Sequence, residues 1–124
     1  PGISSAASDV YKRQSLNNKS LKEVGHTRNV QQLVLKQAEL IKKSGCDGIV
    51  CSAKESQIIK KKFKNLMIIT PGIRLPGYKS NDQARVMTPR DAFKNQASGI
   101  VIGRSLTKGN IKNNVKKLID HLNQ

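Results

Sequence analysis

Four residues have the types and spacing to grip a phosphorylated ligand. Gly103 closes the apolar run Ile100-Val101-Ile102, and Arg104 follows it directly. A residue without a Cβ lets a ligand approach the backbone and meet its N–H. A guanidinium then offers a planar fork of donors matched to a phosphate dianion. Arg74 stands in Thr70-Pro71-Gly72-Ile73-Arg74, where the proline stiffens the exit from a second apolar run and the glycine permits a bend that turns the arginine inward. Gln83 lies in the long polar loop between Arg74 and Thr88. Its amide carries both a donor and an acceptor, enough to read a phosphate and a polar base edge together, and long loops in compact folds often act as lids. Taken singly, each has an ordinary explanation: a turn glycine, a solvated or ion-paired arginine, an exposed loop amide.

Other reactive residue types are less informative. Cys46 and Cys51 are five positions apart with no matching histidine cluster, which points to buried or free thiols rather than zinc. Two cysteines make no disulfide framework, so a reducing cytoplasm is the expected compartment. His26 and His121 lack a visible catalytic partner. Asp47, Glu55 and Asp91 read as caps or surface charges.

The elements that must position these residues alternate in type. Ser20 to Glu23 reads as a short helical turn ended by Gly25. Val30, Leu33, Val34, Ala38 and Ile41 recur at helical spacing, predicting a helix over Asn29 to Ser44 with Asn29 as N-cap and Gly45 as C-cap. Gly48 to Cys51 has the apolar run of a buried strand, and Ala53 to Phe63 a helix with Ile58, Ile59 and Phe63 inward. Leu66 to Ile69 is a second strand, stopped by Thr70-Pro71-Gly72. Thr88 and Pro89 open another helix as N-cap and first helical residue, ending near Ala97-Ser98. Ile100 to Ile102 is a third strand. Asn110 to Leu122 carries the cleanest helical period, through Ile111, Val115, Leu118, Ile119 and Leu122. Helices alternating with strands that read as buried on both faces imply a parallel sheet with right-handed crossovers, and in such folds sites form at the carboxyl ends of the strands.

Length and composition set bounds. The 124 residues are room for one small domain, with 36% apolar residues and 9 glycines. The formal charge of +15 favours anionic partners. Lysine supplies most of it, 17 against 6 arginines. Many of the lysines lie on outer helix faces, as in Lys60-Lys61-Lys62, which reads as solvation. Four scattered aromatic residues offer no stacking platform for RNA. No apolar run is long enough to span a membrane. Residues 1–14 lack a secretory core and are expected to be a disordered or foreign leader, with the domain over residues 15–124.

Four blocks occur in order with suitable gaps: Gly48-Ile49-Val50-Cys51-Ser52-Ala53, Thr70-Pro71-Gly72-Ile73-Arg74, Asp82-Gln83-Ala84-Arg85-Val86-Met87-Thr88-Pro89 and Val101-Ile102-Gly103-Arg104. Together they resemble orotidine 5′-phosphate decarboxylase of the bacterial type, over about Ser15 to Gln124, as the C-terminal half of that enzyme. The resemblance implies a partial (β/α)8 TIM barrel, with about the last three strands of a parallel sheet and their helices. It implies a homodimer with no metal or organic cofactor, no nucleic acid and no membrane partner. It implies conversion of orotidine 5′-phosphate to UMP and CO2 in pyrimidine biosynthesis. Arg74, Gln83, Gly103 and Arg104 match the family's substrate-binding positions: Gly103 and Arg104 at the phosphate, Gln83 bridging phosphate and pyrimidine, Arg74 adding charge at the same end.

The departures carry equal weight. The family's catalytic network is built around Asp-x-Lys-x-x-Asp, a spacing absent from these 124 residues. The family's substrate-contacting threonine falls about where Gln14 stands, and Asn81 replaces a common glycine. The expectation is phosphate-end machinery without a chemical centre, inactive alone and either poorly soluble or oligomeric. Competing readings are another phosphate-binding barrel, similar to hexulose-phosphate synthase, and a basic RNA-binding module.

Overall fold

The computed structural model describes residues 18–23, 25, 27, 29–78 and 87–124. Residues 1–14, Gln14's threonine-equivalent position, His26, Asn81 and Gln83 lie outside the described residues. The elements in chain order are α1 (Asn18–Glu23), α2 (Val30–Lys43), β1 (Gly48–Val50), α3 (Ala53–Lys62), β2 (Met67–Ile73), α4 (Pro89–Lys94), β3 (Gly99–Ile102), α5 (Arg104–Thr107) and α6 (Ile111–Asn123). The three strands form one parallel sheet in the order β1-β2-β3. No helix among the described residues is long and apolar enough to cross a membrane.

Helix starts follow the capping chemistry of the sequence. Asn29 accepts from the Gln32 N–H at 2.9 Å, and the Gln32 side chain accepts from the Asn29 N–H at 3.2 Å, a reciprocal capping box at the start of α2. Asn18 ties α1 to the same point by accepting from the Val30 N–H at 3.0 Å. Ser44 is the C-cap of α2, and Gly45, expected to cap, follows it at φ 77°. In α4, Thr88 is the N-cap and Pro89 the first helical residue, as the sequence predicts. The Thr88 hydroxyl donates to the Asp91 carboxylate at 2.7 Å and holds its pKa below the ordinary value. This helix ends at Lys94, short of the expected Ala97-Ser98, because Asn95 caps it and Gln96 takes a left-handed conformation at φ 70°.

The core lies between the helices and one face of the sheet. Val34 and Ala38 of α2 and Ile59 of α3 pack against Ile49, Cys51, Leu66 and Ile68. A second cluster joins Ala53, Ile73, Ala92 and Ala97 beneath the other end of β2. Gly48 lets β1 and β2 close up, since a Cβ there would lie 2.9 Å from the Met67 carbonyl oxygen. Ser98 anchors β3 on β2: its N–H donates to the Ile68 carbonyl at 2.8 Å and its hydroxyl accepts from the Ile68 N–H at 3.0 Å.

Two expectations need correction. The strands are not buried on both faces: Met67 and Val101 are half exposed, because among the described residues nothing covers the sheet face opposite the helices. Nor does β2 stop at Thr70-Pro71-Gly72. Gly72, at φ 77°, absorbs one extra residue there. Thr70 pairs with Ile100 and Ile73 with Ile102, so three steps on β2 match two on β3. The result is a β-bulge that carries the strand on to Ile73. The final helix also departs from its pattern. Ile111, Val115, Ile119 and Leu122 of α6 remain exposed, so the cleanest amphipathic period in the sequence belongs to a helix with no fully buried residue.

Candidate functional site

The bulge in β2 sets up the site. Had the strand continued without it, Ile73 would change faces; with it, Ile68, Thr70 and Ile73 are all buried and Arg74 emerges at the carboxyl end of β2. The Arg74 N–H donates to the Met87 carbonyl at 3.0 Å, and Ile73 bridges Met87, so both ends of the intervening loop are pinned beside β2. The arginine is only 8% exposed. Its Nη1 donates to the Ile73 carbonyl at 3.2 Å, while its Nε is buried without a hydrogen-bond partner. The ion pairs among the described residues join Lys36 and Lys43 to Glu39, on α2, and none reaches Arg74. A buried cation without a carboxylate is costly, several kcal/mol for an ion of this kind. The arrangement is suited to receiving an anion.

The exit of β3 lies alongside. Gly103 is the N-cap of the one-turn helix α5 and contributes no side-chain cap. Among the described residues a Cβ at Gly103 would meet nothing within 4 Å. Arg104 is exposed and begins α5. The two exits are bonded together: the Leu75 N–H, next to Arg74, donates to the Ser105 hydroxyl, next to Arg104, at 3.2 Å. Three of the four residues singled out in the sequence therefore stand on adjoining turns at one end of the sheet, and Gln83 lies outside the described residues. Helix α5 and Ser105 escaped the sequence reading. A serine two residues beyond a strand-ending glycine was the available signal.

The exit of β1, at the same end of the sheet, is organised otherwise. The Ser52 N–H donates to the Glu55 carboxylate at 3.1 Å and the Ser52 hydroxyl donates to the same oxygen. Behind it the Ser56 hydroxyl donates to the Ser52 carbonyl at 3.0 Å and lies 3.3 Å from the Thr70 hydroxyl and 3.8 Å from the Cys51 sulfur. Burial pushes the Cys51 thiol up to about 12 from 9.0, so it is a protonated core group.

A family model described as "Orotidine 5′-phosphate decarboxylase / HUMPS family" matches residues 11–118. The chain belongs to this family. Orotidine 5′-phosphate decarboxylase from Coxiella burnetii is 43% identical over 95 residues, which cover 76% of this chain and 40% of the relative. The Wolbachia enzyme of the same name is 44% identical over 106 residues, covering 85% of this chain and 47% of its own. The crystal structure of the decarboxylase from Lactobacillus acidophilus superposes with a TM-score of 0.65 at 26% identity, over 99% of this chain and 47% of that one. The chain thus spans somewhat under half the length of these orotidine 5′-phosphate decarboxylase relatives, and corresponds to their C-terminal part. The three-stranded parallel sheet is a partial piece of their TIM barrel.

Proposed function

We propose that this chain carries the phosphate-binding end of an orotidine 5′-phosphate decarboxylase, the enzyme that converts orotidine 5′-phosphate to UMP and CO2. The observation that carries the reading is Arg74: a buried guanidinium whose Nε has no hydrogen-bond partner and which joins no ion pair among the described residues, bonded through its neighbour to the Gly103–Arg104 turn. A phosphate monoester supplies the missing negative charge. Gly103 and Arg104 hold the phosphate, Arg74 adds charge from the adjacent exit, and Gln83 reaches from the loop to phosphate and pyrimidine. The phosphate does not react. Gripping it places the pyrimidine, so binding energy far from the reacting carbon serves the reaction. The proton and carboxylate chemistry belongs to an Asp-x-Lys-x-x-Asp array that these 124 residues do not contain, so by themselves they bind nucleotide without decarboxylating it. The complete enzyme works as a cytoplasmic homodimer.

Calorimetric titration of the chain with UMP, and separately with a single-stranded RNA, tests the reading. The expected result is saturable UMP binding weakened about tenfold or more by Arg104→Ala, the scale of one charge-assisted hydrogen bond. Salt-steep RNA binding indifferent to that substitution, with no UMP binding, would overturn it.

A further inference from the structure

We propose that Ser105 is the positioning residue of this site, the clasp that fixes Arg74 and Arg104 relative to one another; the inference rests on the phosphate-binding reading above. Strand pairing between β2 and β3 ends at Ile73 and Ile102. Beyond that point the ladder no longer holds the two exits in register. The Arg74 N–H is already committed to Met87, across the loop. Among the described residues, the Leu75 N–H donating to Ser105 Oγ joins the β2 exit to the β3 exit. Leu75 and Ser105 are 5% and 4% exposed, so no water replaces this bond if the hydroxyl is lost.

The clasp is also held from behind. The Leu106 and Thr107 N–H groups donate to the Gly103 carbonyl at 2.9 and 3.2 Å, which closes the turn around Ser105. The Asn114 side chain of α6 donates to the Leu106 and Lys108 carbonyls, both at 2.9 Å, and fixes the far end of α5. Ser105 is thus a rigid acceptor aimed at the backbone N–H of Leu75, the residue that follows the buried arginine. It touches no ligand in this role and acts through Arg74 and Arg104. A site that splits one dianion between two strand exits depends on their spacing, because displacement by about an ångström costs much of a directed interaction.

The test uses the chain with Ser105→Ala and Ser105→Thr, each also combined with Arg104→Ala, reading UMP affinity and amide exchange at Leu75. Ser105→Ala is expected to speed Leu75 exchange and to weaken UMP binding about tenfold, on the scale of one buried hydrogen bond, whereas Ser105→Thr restores both. In the Arg104→Ala background Ser105→Ala should weaken UMP binding by less than twofold, since partners in one unit are not additive. Faster Leu75 exchange with unchanged UMP affinity would overturn the clasp and leave the phosphate site standing, as would equal losses in both backgrounds. Absence of UMP binding by the unsubstituted chain would overturn the site and the clasp together.

Discussion

At the exit of β1 the chain supplies its own anion. The Glu55 carboxylate lies on the Ser52 N–H and hydroxyl, and behind it the buried Ser56 hydroxyl bonds to both Thr70 and Cys51. At the exits of β2 and β3, a few residues away on the same sheet, the chain supplies a buried arginine and a helix N-cap without a side chain, with no described residue within 4 Å of where its Cβ would lie. One helix start is capped by the protein's own carboxylate and the other has no side-chain cap. Parallel strands alone do not make a site, since all three exits share that geometry. The difference lies in which polar groups are satisfied internally.

The largest expected effect separates binding from stability at Arg74. Arg74→Met keeps the apolar stem and removes the charge. UMP affinity should fall about 10- to 100-fold, the range for a lost hydrogen bond to a charged group. The melting temperature should hold or rise, because a buried guanidinium with no ion pair among the described residues opposes folding and an apolar residue of similar volume does not. Calorimetry and a thermal melt on the same sample read both. A sharp loss of stability with binding retained would make Arg74 a structural residue and erase the contrast between the exits.

The β1 exit predicts the opposite behaviour, sensitivity of the fold with no effect on the ligand. The folded state holds the Cys51 thiol neutral up to about 12, against 9.0 for the free group. The contribution of this group is fully present below pH 9 and is lost as the pH rises from there toward 12, where the unfolded chain ionises and the folded one does not. The slope is about 1.4 kcal/mol per pH unit over that window. Cys51→Ala should flatten it, so the difference between the two proteins in urea midpoint should narrow steadily from pH 9 to 10.5. A constant difference across that range would mean that Cys51 is not a protonated core thiol.

Much of this organisation is legible in the sequence because local chemistry dictates it. Asn29 and Thr88 announce helix starts, and each caps its helix in the structure. The apolar runs mark all three strands. What escaped depends on tertiary arrangement. The reading of Pro71-Gly72 as a stop missed the bulge, since a glycine at positive φ can either end a strand or re-aim it, and only the pairing with β3 decides. The period of α6 says that Ile111, Val115, Ile119 and Leu122 share a face, but not that the face is covered. Helix α5 is too short to have a period. The Leu75–Ser105 bond spans thirty positions and leaves no local trace. Arg74 and Arg104 were visible as residue types after apolar runs; the burial of one and the exposure of the other were not.

The smallest expected effect tests whether the closed helix start at β1 is only structural. Glu55→Ala removes the acceptor that Ser52 uses twice and should cost about 1 kcal/mol, as losses of helix-capping groups do. Glu55→Gln keeps an acceptor and should cost less, since the amide oxygen still reaches the Ser52 N–H while the favourable charge at the helix start is gone. Neither change should alter UMP affinity beyond twofold. The sign of any departure is informative. If Glu55→Ala strengthens phosphate binding, the carboxylate repels the ligand from a neighbouring exit, and the two regions share one electrostatic field rather than dividing the sheet end between structure and binding. If it weakens binding in proportion to the stability lost, Glu55 holds the β1 exit in place for its neighbours, and the boundary of the site must be redrawn to include it.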